Sequence, residues 1–178
     1  MRLILPLIVL PALAIAEEDF SQYGTTNPEE MTLERLVERA RRGDVDMIVC
    51  ANGYLATKGG RHEQARIIFE SCANAGWTAA MNWMSQLDHN GLGADEDPDR
   101  ATEWSRRAAE LGDPVGMYNH GIDMMRGRGV AQDVDQGRAL VDRAAAEGLL
   151  IARRLQEAEY DLDAVTPDAD AWKYAPMF

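Results

Sequence analysis

The chain has 178 residues, with 30 acidic against 18 basic side chains and a formal net charge of −12. This excess of carboxylates repels nucleic acid and anionic membrane surfaces, and no basic patch with interleaved aromatics offsets it, so neither is expected as a partner. A chain of this length can bury one continuous core as a single domain.

Residues 1–16 read as a secretory signal peptide. Met1-Arg2 gives a positive start, Leu3 to Leu13 is almost wholly apolar, and Ala14-Ile15-Ala16 is a small-x-small cleavage site. The alternative is a retained membrane anchor, but the apolar run is shorter than the ~20 residues that a spanning helix needs. Cleavage before Glu17 is expected to give an exported chain with no direct membrane insertion; with the family resemblance given below, the periplasm is the expected compartment and secretion the second choice. Cleavage also removes Arg2, making the charge one unit more negative.

Residues 17–28 form a polar leader with no helical period. Thr32 then precedes Leu33, Leu36, Val37 and Ala40, the i, i+3, i+4, i+7 spacing of one apolar helix face. Gly43 closes this segment, so residues 31–43 read as an N-terminal capping helix.

From here the chain repeats. Cys72-Ala73-Asn74-Ala75-Gly76 returns as Ala108-Ala109-Glu110-Leu111-Gly112 and again as Ala144-Ala145-Ala146-Glu147-Gly148, at a period of thirty-six residues. Gly91-Leu92-Gly93 returns as Gly127-Arg128-Gly129 at the same period. A fixed period of this size is one supersecondary unit copied and stacked. Each unit holds two helix-length segments around a Gly-rich turn: Met47–Thr57 with Glu63–Asn74, Ala79–Asn90 with Asp99–Leu111, and Val115–Arg126 with Asp135–Glu147. The repeats span about 46–76, 79–112 and 115–148. The turn of the first, Lys58-Gly59-Gly60-Arg61, is about four residues shorter than the others. Residues 149–162 match half a repeat and read as a C-terminal cap. The expected fold is an all-α, right-handed α/α solenoid of about three helical hairpins over residues 29–162, capped at both ends. The tail, 163–178, carries Trp172, Tyr174, Met177 and Phe178, so it either folds back on the solenoid or docks into a partner.

Cys50 and Cys72 are the two cysteines. They fall near the start of one helix and the end of its antiparallel partner, so a disulfide can form in an exported chain. The alternative is two small buried thiols.

No residue pattern carries catalysis. There is no G-x-S-x-G, and no His-x3-His or Cys-x2-Cys spacing for zinc. Asp95-Glu96-Asp97-Pro98-Asp99 fails the calcium-loop pattern, because Arg100 stands where Gly is required. Asp99 reads instead as a helix N-cap. Catalytic residues, cofactor and metal are therefore all expected to be none. His62 and His89 fall in or beside turns and read as solvated, whereas His120 reads as a core histidine with a hydrogen-bond partner.

The third repeat closely resembles the Sel-one-like repeat family, a relative of the tetratricopeptide repeats. Gly116, Gly121, Gly127, Gly129, Val130, Asp133, Ala144, Ala145 and Gly148 match its pattern. His120 replaces a Leu and Met124 an aromatic. The second repeat keeps Ala80, Gly91, Gly93, Asp97, Ala108, Ala109 and Gly112, with Ser85 for a Gly and Asp88 for the aromatic. The resemblance covers about residues 29–160 and implies an exported adaptor or regulator, not an enzyme. Such an adaptor binds a protein or peptide on its concave face and is a monomer when alone. Alternatives are a structural accessory subunit of a membrane or envelope complex and, further off, a relative of cell-wall or β-lactam hydrolases. First helices usually line the concave face, so Tyr54, Trp83, Gln86, Asn119 and Asp123 are the candidate partner-binding residues. Trp83 and Tyr54 are equally well read as packing between layers. The overall charge favours a basic or mixed peptide ligand.

Overall fold

The computed structural model describes residues 31–164, which form eight helices with no strand among the described residues. The expected signal peptide and leader, and the tail beyond Ala164, lie outside the described residues. The helices are α1 (Leu33–Arg41), α2 (Met47–Lys58), α3 (His62–Asn74), α4 (Thr78–His89), α5 (Pro98–Glu110), α6 (Pro114–Arg126), α7 (Val134–Ala146) and α8 (Leu150–Glu157). Each packs on its neighbours along the chain. The hairpins α2/α3, α4/α5 and α6/α7 thus stack as a solenoid, with α1 and α8 at its ends.

The helix starts are written in side chains. Thr32 Oγ1 accepts from Arg35 N, and Asp46 Oδ1 from Val49 N. Asp97 caps α5 through Arg100 N, and Asp133 caps α7 through Gln136 N. These last two caps are thirty-six residues apart. Asp97 therefore holds the N-cap expected of Asp99, because Pro98, with no N–H to satisfy, takes the first helical position.

The helix ends explain the repeated Ala-x-x-Gly. Gly76, Gly112 and Gly148 take φ of +94°, +86° and +97°. Each lets the next residue reach back, as in Trp77 N to Cys72 O (3.1 Å), Asp113 N to Ala108 O (3.0 Å) and Leu149 N to Ala144 O (3.0 Å). This six-to-one bond satisfies a carbonyl that the helix end leaves free. The turn glycines set the stacking register. A Cβ on Gly129 would stand 2.0 Å from Pro98 O, and one on Gly93 would stand 2.7 Å from His62 C. The turn of each repeat therefore rests against the start of the preceding repeat's second helix.

The last helix is shorter than expected. Glu159 and Tyr160 adopt φ of 53° and 63°, and Tyr160 N returns to Leu155 O at 2.9 Å. This is the same helix ending, made without glycine. It swings the Tyr160 ring under Arg138 and brings its hydroxyl within 2.5 Å of Asp142 Oδ1, fastening α8 to α7.

Two apolar clusters fill the solenoid. One runs from Leu36 through Ile68, Phe69, Met84 and Trp104; the other from Met117 through Tyr118, Val141 and Leu155. A Cys50–Cys72 disulfide, with a Cα–Cα distance of 5.9 Å, ties α2 to α3 within the first cluster.

Candidate functional site

First helices touch one another at two junctions. At the α2/α4 junction Trp83 is 8% exposed, stacks on Phe69 with centroids 5.7 Å apart and 4° between planes, and meets Tyr54 at 5.5 Å. This burial favours the second of the two readings of Trp83, packing between layers. The indole, between the Phe69 and Tyr54 rings, is the body that fills the space between α2 and α4. Tyr54 is half-buried as the outer cover of this stack, with Lys58 Nζ 5.2 Å over its ring.

The α4/α6 junction is open. A cleft of about 150 Å³ is lined by Ser85, Gln86, His89, Asn90, Asn119, Ile122, Asp123, Arg126 and Arg128. It collects three of the five sequence candidates: Gln86, Asn119 and Asp123. Gln86 and Asn119 are half-buried. Among the described residues their side-chain amides make no hydrogen bond. Both can donate and accept, the capacity a peptide main chain needs.

The repeat register explains why one junction is closed and the other open. Asn119 stands thirty-six residues after Trp83, and Gln86 stands thirty-two after Tyr54, the difference being the four residues missing from the first turn. The aromatic pair that seals α2 against α4 is thus replaced, at α4 against α6, by an amide pair too small to fill the same place.

Asp123 forms the floor. It is 5% exposed, and its Oδ2 accepts from Thr102 Oγ1 at 2.8 Å and Ser105 Oγ at 3.3 Å. His89 Nε2 lies 3.2 Å from its Oδ1. A carboxylate can only accept here, so Nε2 carries the proton, and His89 Nδ1 is buried without a partner. Asp123 is thus a satisfied buried group rather than an open contact. His89, expected to be solvated, is mostly buried; it occupies the position that Met125 takes one repeat later, which was the available signal. His62 is likewise half-buried with its Nδ1 unpartnered. His120 is a core histidine as expected, but its Nδ1 lacks the expected partner, and burial pushes its pKa below the ordinary value.

A second buried carboxylate had no functional reading in sequence. Asp88 is fully buried and receives Arg100 Nε at 2.8 Å together with Arg66 Nη2. Burial works to raise its pKa, but the bonds from Arg100 and Arg66 overcome this and hold it below the usual carboxylate value. Arg66 and Thr102 are one repeat apart, and each donates from a second helix into a carboxylate on the next first helix. Asp88 and Asp123 therefore fix the stacking of repeats. Among the described residues no group of three or more His, Cys, Asp or Glu could hold a metal, and no helix is long and apolar enough to cross a membrane.

The Sel1 repeat model matches residues 78–113 and 114–149. A Sel1 repeat protein from Oxalobacter formigenes is similar in structure, with a TM-score of 0.58 and 23% identity over 70% of this chain and 52% of that one. A protective antigen of uropathogenic Escherichia coli strains with an SLR fold gives a TM-score of 0.51 and 18% identity, over 82% of this chain and 38% of that one. The chain thus spans about half the length of the first and less than half of the second. No match was found among curated proteins. Sel1 repeats are generally protein-interaction modules and typically non-catalytic scaffolds. The two units that frame the cleft, α4/α5 and α6/α7, match the Sel1 repeat model, and the described residues form a helical solenoid, the fold shared with these two solved structures.

Proposed function

We propose that the chain is an exported adaptor or regulator that holds a segment of a protein or peptide in the cleft between α4 and α6. The observation that carries this reading is the pair of unpartnered amides, Gln86 and Asn119, on adjacent first helices of two Sel1 repeats. Half-buried amides with no protein partner among the described residues can both donate to and accept from a peptide main chain. The signal-like residues 1–16 and the Cys50–Cys72 disulfide support an oxidising compartment, with the periplasm as the compartment proposed.

The test copies the protein's own closed junction. A photo-cross-linker at position 119, compared with one at exposed Glu70 on α3, identifies the partner in the native compartment. Gln86→Tyr with Asn119→Trp then fills the cleft as Tyr54 and Trp83 fill the preceding one. The expected result is an adduct from position 119, at least tenfold weaker partner binding by the filled variant (about 1.4 kcal/mol) and an undiminished melting temperature. Unchanged affinity in a folded, filled variant would refute the cleft as the binding place.

A further inference from the structure

The last described residues end at the cleft. Leu162 O accepts from Arg126 Nη2 at 3.0 Å, and Arg126 lines the cleft. The chain beyond Ala164 therefore starts at the cleft rim. That segment contains Asp168 and Asp170, four and six residues past Ala164. At ~3.3–3.6 Å per residue they reach about 13 and 20 Å, ample to return to Arg126.

The electrostatics favour this return. The chain as a whole is acidic, but exposed charges farther apart than about 10 Å are largely screened at ordinary ionic strength, so local groups decide what the cleft attracts. Asp123 is already held by His89, Thr102 and Ser105. Arg128 is bonded to Glu96 and to His89 O. Arg126 has no carboxylate partner among the described residues; its one recorded bond is to the neutral Leu162 carbonyl. Hydrogen bonds from Thr102 and Ser105 satisfy Asp123 without cancelling its charge, but it is 5% exposed at the floor, whereas Arg126 is exposed at the rim and has no carboxylate partner among the described residues. The rim thus offers a guanidinium, beside the two amides, to an extended segment bearing a carboxylate.

We propose that the α4/α6 cleft takes a carboxylate-bearing extended segment, and that residues 165–178 of the chain supply it, with Asp168 or Asp170 paired to Arg126. This rests on the cleft being the binding place assigned above. The tethered segment is present at an effective concentration on the order of millimolar, so it competes with any partner and sets a threshold that the partner must exceed.

The experiment uses the full oxidised chain and needs no partner, so its outcome is independent of the partner test. Arg126→Lys places an amine at the cleft rim, and a carbodiimide condenses that amine with an adjacent carboxylate, the water being taken up by the reagent as its urea. The expected product is an isopeptide between position 126 and Asp168 or Asp170 in protein of monomer mass. In parallel, Asp168→Asn with Asp170→Asn is expected to shift the side-chain amide resonances of Gln86 and Asn119, and to leave α1 and α2 unmoved. Links to Glu96 alone, links only in dimer mass, or unshifted cleft amides would each overturn the proposal. The dimer result would assign the occupant to a second copy, and unshifted amides would leave the cleft to a free partner.

Discussion

Trp83→Ala removes the body that seals α2 against α4. The side chain is 8% exposed and touches aromatic rings on both sides, so little of its surface is available to a partner. Truncating a buried Trp costs about 3–5 kcal/mol, and the two ring contacts place this site toward the upper end. For a chain of this length each kcal/mol moves the melting temperature by roughly 2–4 °C, so a fall of about 10 °C or more is expected. Trp83→Phe keeps a ring against Phe69 and should retain most of that. The assay is a circular-dichroism melt at 222 nm, with Cys50–Cys72 oxidised in every variant so that the cross-link contributes equally. Binding to the α4/α6 cleft, measured below the melting transition, should change less than twofold. A melting temperature within about 2 °C of the parent, together with lost partner binding, would refute the packing assignment and restore Trp83 as a contact residue.

Reduction of Cys50–Cys72, which closes a separation of 22 residues, should destabilise the fold by about 3 kcal/mol on the loop-entropy account, read as a lowered melting temperature with dithiothreitol; an unchanged melt would show that the bridge adds nothing. His120 should make stability pH-dependent. Burial, the largest influence, lowers its folded-state pKa, with Asp123, Glu103 and Glu110 opposing and Arg106 assisting. The unfolded chain then takes up the proton first. The contribution is fully present above the unfolded value of about 6.5 and is lost as pH falls through the folded pKa. His120→Leu should remove this slope, and parallel stability–pH curves for parent and variant would contradict the assignment.

What was legible in sequence was whatever the repeat writes in local backbone chemistry. The Ala-x-x-Gly ending encodes a helix stop with glycine in the left-handed region, and three copies at one spacing give helix ends, stacking and fold class together. Cys50 and Cys72 were legible because a hairpin brings the start of one helix beside the end of the next. The end of α8 was not legible, because its left-handed residues are Glu159 and Tyr160, types that rarely signal such a turn. His89 was misplaced because it was read from its turn neighbours rather than from the register that sets it at the position of buried Met125; its contact with Asp123, 34 residues away, is set by packing. Asp88 was visible as a carboxylate at an aromatic position, but its partners Arg66 and Arg100 are set by packing.

The candidate site shows why a position list from a repeat is weaker than a register. Tyr54, Trp83, Gln86 and Asn119 share the first-helix row, so they look alike as exposed candidates. Register separates them into two equivalent pairs, and side-chain volume decides between the pairs. Tyr54 and Trp83 are large enough to meet at 5.5 Å and exclude a ligand. Gln86 and Asn119, carried by the same backbone geometry one repeat later, leave about 150 Å³ and two unused amides. In this chain the underfilled junction coincides with the two units that match the Sel1 pattern and with the point where the described chain returns to Arg126. The two proposals, binding and its control by the tail, thus converge on one polar cleft, beside a more divergent first repeat that is cross-linked by Cys50–Cys72 and sealed by Trp83.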